Sequence, residues 1–269
     1  MRFAWALLLT ATAGCSGQYI LTVPEQVGPS GGQAVVVARL QMQEFIGLNM
    51  AAKDVAVRYR VEDGPQRAGY TDKLGYAGAL VPLPPKPGRY CVIVEHTDRD
   101  GREARRFIPI YAWDPQTPVV AVDLDSIPGP AGTKGSSAAT ALDKIGQYAN
   151  ILYLTQKPLR EHANLHGQLQ TGGFPDGPIL LWQREYWHSV QDGMLTKVVV
   201  EDRLVSQLPS LRKMFPNFVM GITDSTAGLQ SFLGAGIKPV YVGQEQWYLP
   251  RVHPDARRSS WSELAKNGL

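Results

Sequence analysis

A change of hydrophobic rhythm at Trp113-Asp114-Pro115-Gln116-Thr117-Pro118 constrains this chain more than any other feature. Before that proline-bearing segment, apolar residues recur at every second position. After it they come in continuous runs separated by helix-length stretches. Val55, Val57, Tyr59 and Val61 alternate with Ala56, Arg58, Arg60 and Glu62, as in a strand with one face on a core and one in water. Gln33 to Met42 is a second strand candidate, and residues 79–83 a third, stopped by Pro84-Pro85 and Pro87-Gly88. Tyr90 to His96 and Arg105 to Tyr111 flank Asp98-Arg99-Asp100-Gly101, a hairpin turn signal. Short strands at this spacing predict a β-sandwich over residues 19–114. It carries no catalytic constellation, so its expected role is spacing, docking or packing.

The runs Val119 to Val122, Ile151 to Leu154, Pro178 to Trp182, Phe218 to Ile222 and Pro239 to Val242 are apolar without alternation. Such runs predict strands covered on both faces. Helices are expected over 138–149, 158–170, 201–214 and 226–234, the third kinked or split at Pro209. Alternating strands and helices predict an α/β fold over residues 119–248, a doubly wound parallel sheet. Its chemistry is expected beyond the carboxyl ends of the strands. Residues 249–269 form a C-terminal tail in which Ser260-Trp261-Ser262-Glu263 reads as a capping box opening a short helix.

The first fifteen residues, MRFAWALLLTATAGC, place Arg2 before an apolar stretch and end in small residues and Cys15. This is an export signal, too short to span a membrane. It resembles a bacterial lipoprotein signal, which makes Cys15 the expected lipidation site and the cell envelope the expected location. Thr12 departs from the leucine usual in such signals. Plain secretion is the alternative. In that case Cys15 is free to pair with Cys91, which otherwise reads as a small buried apolar side chain. The charge balance of 27 Lys and Arg against 24 Asp and Glu gives +3, too weak to argue for a nucleic-acid partner. Two cysteines exclude a disulfide-rich scaffold.

Three predicted strands end in polar groups. The first ends in Asp123-Leu124-Asp125, the second in Thr155 and the third in Thr223-Asp224-Ser225. Carboxylates from different strands suit a hard cation such as Mg²⁺, held through oxygen. Asp123 is placed to attack phosphorus and form an aspartyl-phosphate. Asp125 is placed to protonate the leaving oxygen and later to activate water. Thr155 would bind a phosphoryl oxygen and Asp224 would join Asp123 and Asp125 as a metal ligand. The structural alternatives are plain: the Asp pair and Asp224 as caps of the segments that follow, and Thr155 as a backbone-bonded hydroxyl. His162 and His166 lie four apart on a predicted helix and read as exposed helix polarity rather than a metal pair. Trp182, Tyr186 and Trp187 form either an aromatic rim or packing under a loop.

This order of motifs resembles the haloacid dehalogenase superfamily, and within it the lipin-like and actin-patch-associated phosphatidate phosphatases. The resemblance covers residues 119–243; in the first half, PKPGRYCVIV from Pro85 resembles the penultimate strands of immunoglobulin-like bacterial modules, which implies an immunoglobulin-like sandwich over 19–114. The carriers of the phosphatase resemblance are DLDSI from Asp123, YLTQKP from Tyr153, GFPDGPILL from Gly173 and FPNFVMGITDS from Phe215. It implies Mg²⁺-dependent hydrolysis of a phosphate ester, with a phosphorylated small molecule or a phospholipid such as phosphatidate as substrate. Four departures stand against it. Ile127 replaces a Thr, Thr223 replaces a Gly, and Thr226-Ala227-Gly228-Leu229-Gln230 lacks the second acidic residue expected a few positions after Asp224. The family's phosphate-bridging Lys falls on Arg203, a phosphate clamp of different geometry, with Lys197 as the fallback. The alternative function is a catalytically degenerate fold serving as an envelope binding lipoprotein. A purely structural lipoprotein is the third.

Overall fold

The computed structural model describes residues 17–43, 48–128, 135–191, 194–243 and 255–268. Cys15 and the rest of the export signal lie outside them. So do side chains in part of residues 187–203.

The first half is two facing sheets. One is fully antiparallel: β1 (Gln18–Thr22), β3 (Gln33–Gln43) and β4 (Asn49–Ala51) in that order, with β7 (Tyr76–Pro82) also paired to β3. The other runs β2 (Gln26–Pro29), β9 (Glu103–Trp113), β8 (Gly88–Thr97), β5 (Ala56–Val61) and β6 (Arg67–Tyr70), antiparallel except for the β2–β9 pair. The alternation predicted for 55–62 appears directly: Val57, Tyr59 and Val61 are buried while Ala56 and Arg60 are exposed. They pack with Val36, Leu40, Val81, Val92 and Ile110 between the sheets. Cys91, on β8, is only half-buried, and among the described residues it is unbridged.

The second half holds six parallel strands in the order β12 (Ile179–Leu181), β11 (Asn150–Thr155), β10 (Val119–Asp123), β15 (Phe218–Thr223), β16 (Lys238–Tyr241) and β17 (Arg257–Arg258). All five residues of β10 are buried. Its two faces serve different cores, as the strand's period requires. Val120 and Val122 pack with Leu142 and Ile145 of α1 (Ser137–Gly146), Leu165 of α2 (His162–Gly172) and Leu264 of α5 (Trp261–Asn267). Val119 and Ala121 face Leu208 and Leu211 of α3 (Leu208–Met214) and Phe232 of α4 (Thr226–Gly234). That second core also takes Val27, Tyr111 and Trp113 from the sandwich, and Trp113 lies 5.6 Å from Phe215, centroid to centroid. The capping box forms as predicted, with Ser260 and Glu263 bonded reciprocally.

The fold class read from the sequence, a helix-alternating doubly wound domain of haloacid dehalogenase type behind a sandwich, does not hold for this chain. The chain is strand-rich. Among the described residues there are seventeen strands in four sheets, and the five α-helices have 11 residues or fewer. Three of the four sheets are wholly or mainly antiparallel. The second face of the parallel sheet is completed partly by sandwich side chains rather than by helices alone. The largest error is local. A helix was expected over 201–214, but β13 (Gln183–Gln191) and β14 (Met194–Ser206) form an antiparallel ribbon, and α3 begins only at Leu208. The β-branched run Val198-Val199-Val200 favours strand. The ribbon packs on the sandwich: Tyr186 and Val198 join Val37 and Tyr76 of β3 and β7. A Cβ on Gly78 would come within 2.8 Å of Leu195 and Val198. No helix of the described residues is long and apolar enough to cross a membrane.

Candidate active site

Asp123, Thr155 and Asp224 stand at the same end of the sheet because β10 sits between β11 and β15, all three strands running the same way. Asp123 ends β10 and is buried. Its Oδ1 accepts a hydrogen bond from the Asp125 amide at 3.2 Å. Its Oδ2 accepts one from the Thr223 hydroxyl at 2.8 Å, with the Ser225 hydroxyl at 3.5 Å. Burial pushes the Asp123 carboxyl above the ordinary carboxylate range. The hydroxyls of Thr223 and Ser126 pull it back down, and the nearby Asp125 charge adds to the rise.

Asp125 lies on the 3₁₀ turn Leu124–Ser126 and is partly exposed. Its Oδ2 faces the Thr155 hydroxyl and the Gln156 amide, each at 3.4 Å, and Lys157 Nζ is 3.9 Å from its Oδ1. Thr155 is fully buried at the end of β11, and its Oγ1 accepts from the Lys157 amide at 3.1 Å. Asp224 is exposed. Its Oδ1 accepts from the Ser126 hydroxyl at 2.8 Å, and its amide donates to that oxygen at 2.7 Å. Ser225, not Asp224, caps α4, accepting from the Gly228 amide at 3.0 Å. Asp224 is therefore not the helix cap. Asp123, by contrast, does cap the 3₁₀ turn.

Arg203 stands on β14 rather than at the start of a helix, and Lys197 stands on the same strand. The side chains of both lie outside the described set. Among the described residues, the cation beside Asp125 is Lys157. It follows the Thr155 motif directly, and its proximity in sequence was the available signal.

A cavity of about 660 Å³ opens beside Asp123 and Thr155. Trp182, Tyr186 and Arg184 of the ribbon region line it, as do Arg39 and Tyr76 of the sandwich. Asp125 and Asp224 are not among its lining residues. Trp182 and Tyr186 are buried, so they act as walls rather than as an exposed rim. The sequence reading missed the ribbon and the sandwich's share in this cavity. The Asp192-Gly193 pair between Tyr186-Trp187 and Val198-Val199-Val200 was a hairpin signal.

The two histidines are not exposed polarity. His162 is buried, and desolvation lowers its pKa. His166 Nε2 lies 2.6 Å from Oε1 of the buried Glu25, whose Oε2 accepts from the Ile179 amide at 2.9 Å. Glu25 links the sandwich to α2 and β12 across 141 residues of chain.

Among the described residues no group of three or more His, Cys, Asp and Glu lies close enough together to hold a metal. The donor chemistry nonetheless suits Mg²⁺, which needs one or two carboxylates beside water and a substrate phosphate. Asp123 with Asp125 or Asp224 would supply them.

Replacing Thr223 by valine removes the hydroxyl while keeping the β-branched shape. Thr223→Val is expected to raise the Asp123 pKa further, because the lost bond favours the ionised form. The carboxyl signal of Asp123 in a ¹³C-detected pH titration should move to higher pH. An unmoved midpoint would show that Thr223 does not tune this group.

No protein-family model matches the chain, and no curated protein matches it. Among solved structures it is similar to a Paenibacillus cycloisomaltooligosaccharide glucanotransferase, with 11% identity over 77% of this chain and 28% of that one, at a TM-score of 0.27. A Photobacterium 2,6-sialyltransferase follows, with 9% identity, 82% and 41% coverage and a TM-score of 0.23. A family 39 glycoside hydrolase of Bacteroides cellulosilyticus gives 7%, 82% and 51%, with a TM-score of 0.25. The chain spans only about a quarter to a half of the length of these proteins. Superpositions this loose define no class for it.

Proposed function

We propose that the chain hydrolyses phosphate esters through Asp123. The observation that carries this reading is a buried carboxylate at a strand end, flanked by Asp125, Lys157 and the Thr155 hydroxyl and open to a cavity. An ionised Asp123 oxygen attacks phosphorus and the bond to the ester oxygen breaks. Asp125 acts as the general acid, giving a proton to the leaving alkoxide. As a carboxylate it then takes a proton from the water that hydrolyses the aspartyl-phosphate. Lys157 keeps positive charge beside Asp125, and Thr155 donates toward a phosphoryl oxygen. Mg²⁺, when bound, would offset the phosphoryl charge.

The resemblance to phosphatidate phosphatases makes a phospholipid the first substrate class to try. Lipidation of Cys15 would hold the chain at a membrane, where such substrates lie. A Cys15→Ser chain that still partitions into membranes would rule out that anchor.

Phosphate release from an aryl phosphate and from phosphatidate in micelles, with and without Mg²⁺, tests the reading. Mg²⁺-dependent release supports it, and no release from the folded chain overturns it. One observation favours a second reading, an envelope module that binds a ligand without turnover: the Thr223 hydroxyl, where the resembled family has Gly, occupies Oδ2 of the presumed nucleophile. Tight binding of inorganic phosphate without hydrolysis would select that reading.

A further inference from the structure

The cavity beside Asp123 has a second polar end, built from the sandwich and the ribbon. Arg39 on β3 and Arg184 on β13 both line it. Each guanidinium lies over a tyrosine ring, Arg39 at 5.2 Å from Tyr76 and Arg184 at 5.1 Å from Tyr186. Those rings are themselves neighbours, 5.8 Å apart. The Nε of each arginine is buried without a hydrogen-bond partner, although the Arg184 guanidinium also bonds the Tyr186 side chain, and among the described residues neither arginine pairs with a carboxylate. The carboxylates on the same wall are already engaged: Glu185 accepts from the Tyr76 hydroxyl at 2.8 Å, and Glu25 is held by His166 and the Ile179 amide.

Buried donors left unpaired cost free energy, and a guanidinium fork is matched best by an oxyanion. Stacking on tyrosine holds each guanidinium in one orientation, so less side-chain entropy is lost on binding. We propose that this cavity takes an elongated ligand with two anionic groups, one at the Asp123–Thr155 end and one on Arg39 and Arg184. The first end rests on the phosphoryl reading above; the second stands on the arginines. The volume suits a ligand of that size. The sandwich is then part of the binding site rather than a spacer.

Non-hydrolysable probes separate this proposal from turnover. Alkylphosphonates of increasing length are compared with phosphonates of the same length ending in a carboxylate. Binding to the full-length chain is read from the fluorescence of Trp182, which lines the cavity. At one chain length the carboxylate is expected to tighten Kd about tenfold. Arg39→Gln and Arg184→Gln should each abolish that gain while leaving methylphosphonate binding unchanged. If Arg39→Gln fails to fold, Arg184→Gln decides. A carboxylate that confers no gain at any length, or a gain that survives in the folded variants, overturns the proposal. An arginine-dependent gain in a chain that releases no phosphate supports the two-anion ligand while refuting hydrolysis.

Discussion

Asp123→Asn is expected to abolish Mg²⁺-dependent phosphate release, by a factor on the order of 10⁴, as loss of a nucleophile does. The same variant is expected to be no less stable than the parent. Burial raises the Asp123 pKa above its ordinary value, so the folded chain holds the neutral carboxyl more readily than the unfolded chain does. The stability this group allows is fully present below the unfolded carboxylate pKa, about 3.9. It is lost as pH rises through the raised folded value, where ionisation must occur in a poorly solvated place. Asparagine does not ionise and escapes that loss. Thermal unfolding from pH 4 to pH 8 should therefore show the variant gaining on the parent as pH rises. A nucleophile that costs stability fits the usual trade between activity and stability. Residual release equal to the parent would assign the chemistry elsewhere.

Gly177→Ala is expected to destabilise the chain by about 3 kcal/mol or more, in the range of severe overpacking. A Cβ at this position would run into the backbone oxygen of Ile151 and crowd the Tyr153 ring. Both residues belong to β11, one strand in from the sheet's edge; Ile151 pairs with Val120 of β10, and Tyr153 with Val122 of β10 and Ile179 of β12. That oxygen belongs to a buried strand and has little room to retreat. For a chain of this size the loss corresponds to a fall in Tm of roughly 6–12 °C. A change under 2 °C would mean that β12 shifts to accommodate the methyl group. The phrase GFPDGPILL, used above only as a resemblance, thus has a physical cause. Its second glycine lets the chain pass close under β11 before β12 begins.

The apolar strands of both halves could be read from the sequence because they follow simple periods. Val119 to Val122 and Ile151 to Leu154 are strands buried along their whole length, as their unbroken apolar runs predict; Phe218 to Ile222 is also a strand, though Val219 on it is exposed. The strand-end groups were legible for the same reason, since a polar residue after such a run stands at the sheet's edge. The ribbon was not legible. Charged residues from Glu201 to Arg203 and the apolar spacing after them imitate a helix, while pairing with β13 and packing on Gly78 decide the outcome. Glu25 was missed for another reason. Its partners His166 and Ile179 are brought to it only by the fold, and no local pattern marks it. Arg39 lies within the predicted strand Gln33 to Met42, and no local pattern marks it, because its partner Tyr76 comes from another strand.

The bond from Thr223 to Asp123 joins residues 100 positions apart, and the core around Trp113 and Phe215 is shared by both halves of the chain. Long-range closure of this kind makes folding slow and cooperative. No partial product of synthesis can therefore carry the crevice: until β15 slots beside β10, Asp123 lacks the hydroxyl that fixes it. Binding at the proposed site would then report that β15 has joined the sheet, and a break anywhere between the sandwich and β15 is expected to abolish it without touching the crevice.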